Sequence, residues 1–352
     1  MAAGEPPLPP GIAPAGALAV VVRGDRVESV HLGHLALLGP DDAVLHAVGD
    51  PGATIWPRSA VKPVQAVAML RAGLEIDDVG LALACASHSG TPEHVAGVRG
   101  ILGGAGLSEA DLRNTRDLPL DPEAAFAWRA AGGAAASVTQ NCSGKHAAML
   151  ATCVRNGWDT ASYRDPEHPL QRSVRATLEE LTGEPSAGVT VDGCGAPLFA
   201  TSVRGLARAF GRIATAGSQP GRDDAEARVA RAMAAHPWLV GGPGRDVSRF
   251  MAAVPGLVAK DGAEGVYAAG LADGSAVAFK VADGAGRPRA AVMAAALEAL
   301  WRRGAASPDA AVLAEVRAIG DVPVLGGGRP VGRVLAVLDG PGHGTAEIGR
   351  QW

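Results

Sequence analysis

The sequence predicts a mixed α/β (α+β) chain, an antiparallel sheet with flanking helices and a mainly helical subdomain inserted into it. Three observations carry this. Short alternating apolar segments open the chain, alanine-rich segments with helical spacing fill the middle, and alternating segments return near the end around one strong helix.

Residues 17–23, 27–38 and 43–48 are β-branched or apolar runs, separated by Gly24-Asp25 and by Gly39-Pro40-Asp41-Asp42. That pattern is a meander of short strands. After Pro57 the period changes. Val64, Ala68, Leu70 and Leu74 recur at helical spacing behind a start at Ser59. Helices are expected over 92–102, 147–156, 171–181, 200–210 and 223–236, with glycine-rich polar turns between them. From Gly265 onward, strands are expected over 266–269, 276–281 and 331–338, around a helix over 289–303. Residues 1–16, proline-rich and without Lys or Arg, read as a disordered extension. The rest reads as one domain, with 17–56 and 255–352 as its sheet part and 57–254 as its mainly helical part.

Composition excludes several classes. The net charge of −4 comes with no basic or acidic block, so nothing marks a nucleic-acid surface. The longest apolar runs fall short of the roughly 20 residues a membrane-spanning helix needs, and the first residues lack the charged start of an export signal. A soluble, cytoplasmic protein with a small-molecule partner is the expectation. Four cysteines in such a chain suggest reduced thiols. Cys85 and Cys153 lie in apolar surroundings and read as core; Cys142 and Cys194 lie among polar residues and glycines.

The most specific signal is the scarcity of lysine. Of 32 basic residues 28 are arginine, and only Lys62, Lys145, Lys260 and Lys280 are lysine. Lysine can give up its proton where arginine cannot, so a retained lysine marks chemistry, unless the bias is only compositional drift. Lys62, Lys145 and Lys260 lie in compact polar motifs, whereas Lys280 lies in an alternating stretch and reads as a strand residue. Ser59 precedes Lys62 by three positions, which puts hydroxyl and amine on one helical face, and Lys260 is the second cation placed to disfavour charge on Lys62. The alternative is a capping serine before a solvated lysine. Ser87-His88-Ser89-Gly90 offers hydroxyls for proton relay or substrate placement, or else caps the helix at Pro92. Cys142 and Lys145 in one tight turn, with Cys194 and Asp192 in another, form either a small sulfur and nitrogen zinc site or two rigid turns joined by a Lys145–Asp192 ion pair. No glycine cluster matches a nucleotide loop: at Gly144-Lys145 the next residue is His146, not Ser or Thr.

Six ordered motifs together, Arg58-Ser59-Ala60-Val61-Lys62-Pro63-Val64-Gln65, Ser87-His88-Ser89-Gly90, Asn141-Cys142-Ser143-Gly144-Lys145-His146, Asp192-Gly193-Cys194-Gly195-Ala196-Pro197, His236-Pro237-Trp238-Leu239-Val240-Gly241-Gly242 and Lys260-Asp261-Gly262-Ala263-Glu264-Gly265-Val266, resemble the asparaginase II family of the Rhizobium etli type. The resemblance spans roughly residues 17–350. It implies a serine β-lactamase, penicillin-binding-protein and glutaminase-like architecture and hydrolysis of L-asparagine to L-aspartate and ammonia. Two serine and lysine pairs, Ser59 with Lys62 and Ser87 with Lys260, are implied, together with zinc at Cys142, Lys145 and Cys194 near Asp192, and a homodimer. Arg58, Asp192 and Ser89 are the substrate-binding candidates, and backbone amides near Ser59 and after Lys260 are the oxyanion candidates. Competing readings are a glutaminase or β-lactamase-like acyl hydrolase and, in another class, a non-catalytic zinc-stabilised binding protein.

Overall fold

The structure, a computed structural model, describes residues 13–338. The expected extension falls mostly on residues 1–12, outside that range.

Three strands open the fold: β1 (Gly16–Arg23), β2 (Arg26–Leu38) and β3 (Val44–Val48). A short β4 (Thr54–Ile55) leads into the 3-10 turn Arg58–Val61. The helical insertion follows as α1 (Lys62–Arg71), α2 (Asp78–Ala84), α3 (Pro92–Gly104), α4 (Pro122–Ala130), α5 (Ser143–Asn156) and α6 (Pro169–Thr182). It continues through β5 (Val189–Val191), β6 (Pro197–Phe199), β7 (Thr201–Ser202), α7 (Val203–Ser218), α8 (Ala225–Ala235), α9 (Pro237–Val240) and α10 (Asp246–Ala253). The chain returns to the sheet with β8 (Val258–Asp261), β9 (Val266–Gly270) and β10 (Ala276–Val281), then α11 (Arg289–Arg302), α12 (Ala310–Gly320), β11 (Val322–Gly326) and β12 (Arg329–Ala336).

The main sheet runs β11-β12-β1-β2-β10-β9-β8, with β3 also paired to β2, and every pairing is antiparallel. N-terminal and C-terminal strands therefore interleave through β2 and β10, and the helical insertion leaves and rejoins one sheet. Strand β9 is buried at all five positions and β10 at five of six, as expected for strands covered on both faces. Helix α7 packs on β2, β9 and β10, while α11 packs on β1, β2, β10 and β12. Gly211 and Gly270 let α7 approach closely: a Cβ on Gly270 would stand 2.3 Å from the Phe210 carbonyl.

Two segments differ from expectation. The apolar run before Ser87, assigned no single element from the sequence, is α2, because Asp77 caps it by accepting from the Gly80 amide at 2.7 Å. The helix expected over 200–210 begins at Val203, since Thr201 and Ser202 pair with β4 and Ser202 caps the helix. Cys85 and Cys153 are core residues, as expected. No helix among the described residues is long and apolar enough to cross a membrane.

Candidate active site

Each polar motif sits at the end of an element. Ser59 lies in the 3-10 turn between β4 and α1, behind Arg58, whose φ of +50° is a strained value for a side-chain-bearing residue. The Ser59 hydroxyl is partly exposed and has no hydrogen-bond partner among the described residues. Gly262 permits the neighbouring β8–β9 turn to lie against this segment, because a Cβ there would meet the Pro57 carbonyl at 2.9 Å and the Ala60 amide nitrogen at 3.2 Å. The Ala60 and Gly262 amides are bonded to the carbonyls of Pro57 (3.1 Å) and Val266 (2.8 Å), so neither N–H is free for an oxyanion.

Lys62 begins α1 and is fully buried. Its Nζ donates to the Ala86 carbonyl at 2.5 Å and to Ser87 Oγ at 3.0 Å. The expected pairing thus takes a different form: the amine that follows Ser59 is hydrogen-bonded to the second serine. A lysine side chain leans back along its helix, and the C-terminal end of α2 supplies the acceptors there. Two of its three nitrogen positions are filled, which leaves one for a third group.

Lys260 also differs from expectation. It is buried on β8 and donates to the carbonyl (2.7 Å) and to Oδ1 (2.5 Å) of Asp261. Asp261 Oδ2 in turn meets Arg245 at 2.6 Å and Arg289 at 3.3 Å. Burial pushes the Lys260 amine down to about 8, with the cations of Lys62 and Arg245 assisting and Asp261 opposing. Burial raises the Asp261 carboxyl, but Lys260, Arg245 and Arg289 outweigh it and hold that group well below the carboxylate range.

In the second serine turn, Ser89 Oγ donates to the Gly241 carbonyl at 3.1 Å and is wedged against Gly242. That bond locks the turn to the 241–245 segment, a structural engagement for a residue expected to meet substrate. His88 donates from Nε2 to Ser143 Oγ at 2.8 Å, since Ser143 Oγ itself donates to the Val138 carbonyl. Burial, with His94 and Lys62 nearby, depresses His88 well below the usual histidine value. It stays neutral and holds the turn.

The two cysteine turns do come together. Cys142 caps α5, and a hairpin between β5 and β6 presents Cys194 through a turn closed by Asp192 and Gly195, the latter at φ +84°. Lys145 Nζ lies 3.3 Å from Cys194 Sγ, and all three side chains are buried. The Cys142 thiol and then Lys145 hold the Cys194 thiol well below its ordinary value against burial, while the same thiol contact and burial push Cys142 up to about 12. Burial opposes charge on Lys145, but Cys194, Cys142 and Asp192 outweigh it and raise its pKa. Asp192 faces Arg58, Nε to Oδ1 at 2.6 Å, so the cysteine turn also touches the residue beside Ser59. Two sulfurs and a nitrogen in rigid turns suit zinc as a donor set only after Cys142 and Lys145 give up their protons. No group of three or more His, Cys, Asp or Glu among the described residues is arranged to hold a metal; the expected trio counts only two such residues and a lysine.

Arg245, Asp261 and Arg289 are the site residues that sequence reasoning passes over. Asp261 stood inside the Lys260 motif without a role. The two arginines carry no signal in a chain so rich in arginine.

The family model for L-asparaginase II matches residues 19–336. Among solved structures, Mglu in its tris and glutamate form is 15% identical over 79% of this chain and 61% of that chain, with a TM-score of 0.41. A beta-lactamase from Mycobacterium bovis is 14% identical over 72% and 88%, with a TM-score of 0.41. A putative beta-lactamase from Bacteroides dorei is 17% identical over 77% and 86%, with a TM-score of 0.34. The match thus takes in just under two thirds of that Mglu chain. No curated protein matches the sequence.

Proposed function

Since the chain belongs to the L-asparaginase II family, a family of amidohydrolases, we propose that it hydrolyses the side-chain amide of L-asparagine to L-aspartate and ammonia. The observation that carries this reading is the 3.0 Å bond from Lys62 to Ser87, with the unengaged hydroxyl of Ser59 three residues before Lys62 in the chain. It links the lysine of the first motif to the serine of the second.

Ser59 Oγ attacks the amide carbon and its proton passes to the Lys62 amine, whose third nitrogen position is open. The proton moves on to the leaving nitrogen through Lys62 and Ser87, the C–N bond breaks, and ammonia departs. An aspartyl ester remains on Ser59. Water, deprotonated by the same relay, attacks that ester; the C–O bond to Ser59 breaks, the hydroxyl regains its proton, and aspartate leaves. Lys260, with its amine near 8, exchanges protons at the Ser87 end in this scheme after releasing its bonds to Asp261. Arg58 and Asp192 supply opposite charges suited to the α-carboxylate and α-amine of an amino acid.

Cys142, Lys145 and Cys194 would hold a zinc ion, which when bound supplies a fixed positive charge for placing the substrate. The two cysteine turns, by holding Asp192 against Arg58, orient the substrate-binding pair.

Ammonia release from asparagine by wild type and by Ser59→Ala tests the reading: the variant should lose activity while keeping its melting temperature. Near-normal turnover in Ser59→Ala rules Ser59 out as the nucleophile and moves that role to Ser87.

A further inference from the structure

We propose that Arg245 is a positioning residue whose guanidinium fork clamps the main chain of Ser87 to the carboxylate of Asp261, fixing the second serine turn against the strand that carries Lys260.

Arg245 precedes α10 and has its side chain three-quarters or more buried. One terminal nitrogen donates to the Ser87 carbonyl at 2.5 Å and the other to Asp261 Oδ2 at 2.6 Å. Its partners come from the end of α2 and the end of β8, elements far apart in the chain. The segment that delivers Arg245 is itself pinned: Ser89 donates to the Gly241 carbonyl, and the Gly242 amide donates to Ser248 Oγ at 3.1 Å. Gly242, at φ +148°, lies so close to Ser89 that a Cβ would stand 2.0 Å from the hydroxyl oxygen. A planar two-nitrogen fork can hold a carbonyl and a carboxylate at once, whereas a lysine ammonium is a point charge without that geometry.

The clamp has an electrical consequence. Asp261 is shared among Lys260, Arg245 and Arg289. The charged groups acting on Lys260 are Asp261 on its own strand, Lys62 from α1 and Arg245 from the segment before α10. Removing the Arg245 charge takes away one repelling cation and leaves Asp261 with fewer partners to share. Both changes favour the charged form of Lys260.

The catalytic half of this inference rests on the amidohydrolase reading, but its electrical half does not. With only four lysines, a chain labelled with carbon-13 at the lysine ε position gives four side-chain signals. These are followed against pH in ligand-free wild type, Arg245→Met and Arg245→Lys, alongside melting temperatures and kcat and KM for asparagine. In Arg245→Met the Lys260 midpoint should rise above its wild-type position, and kcat should fall about tenfold or more with KM changed by no more than about threefold. Arg245→Lys should keep the midpoint near wild type yet share the loss in kcat. If Arg245→Met does not fold, Arg245→Gln takes its place with the same expectations. An unmoved Lys260 midpoint in a folded, uncharged variant overturns the proposal, as does a loss carried by KM alone. Wild type that releases no ammonia from any amide would sink the proposed function, and the NMR shift would then decide the clamp by itself.

Discussion

The Ser59 hydroxyl and the Lys62 amine stand on opposite sides of one accounting of partners: the first has none among the described residues and the second keeps a position open. That asymmetry suits a nucleophile three residues before its base. Ser59→Ala should lower kcat at least about ten-thousandfold, whereas Ser87→Ala, which breaks only the relay, should cost about a hundredfold to a thousandfold. Steady-state ammonia assays on both variants check the order. The Lys260 amine near 8 gives a pH dependence with a definite sign. Below that value the amine is charged and above it neutral, so a reaction that uses it as a proton acceptor gains rate as pH rises through about 8. A kcat profile falling through that window assigns Lys260 the acid role instead. The identity of these residues was legible because lysine is so rare here, but their partners were not. Spacing alone paired Ser59 with Lys62 and could not reveal that α2 brings Ser87 to the same amine.

Element ends, not element interiors, build the site, and glycines decide how close those ends approach. Gly144 opens α5 against α2, where a Cβ would lie 2.4 Å from the Leu83 carbonyl. Gly144→Ala should therefore destabilise the fold by about 1–3 kcal/mol, visible as a lower melting temperature. It should also loosen the turn that presents Cys142 and Lys145. At the same turns, Cys142→Ser and Cys194→Ser should each reduce the zinc bound per chain of purified protein, read by elemental analysis. Retention of a full equivalent in both variants removes those two thiols from the proposed donor set. The regular elements were largely legible: β1, β2, β3, β10, α3, α6, α8 and α11 fall close to the expected ranges. Strand β8 and helix α10 were not, because both are short and their apolar patterns are interrupted by Lys260-Asp261 and Arg249. The Arg245 clamp, which precedes α10 and reaches the end of β8, was hidden because one arginine carries no signal among so many.

At the scale of the whole chain, the expected order of strands, helical insertion and strands is the observed one, and the sheet closes because β2 pairs with β10 across some 240 residues of sequence. Contacts that distant leave no local trace, so the sequence predicted two sheet parts without their register. Substrate choice is likewise a property of the assembled cavity, where one methylene is worth about 1–3 kcal/mol. The proposed function expects asparagine to exceed glutamine in kcat/KM by roughly tenfold or more in a side-by-side assay; equal values make this a general amidohydrolase of both amides. The central claim, covalent attack by Ser59, is tested most directly by acid-quenching the protein during turnover of asparagine and locating the acyl group by peptide mass spectrometry. An aspartyl ester on the peptide holding Ser59 is the expected result, and the same group on the peptide holding Ser87 contradicts it.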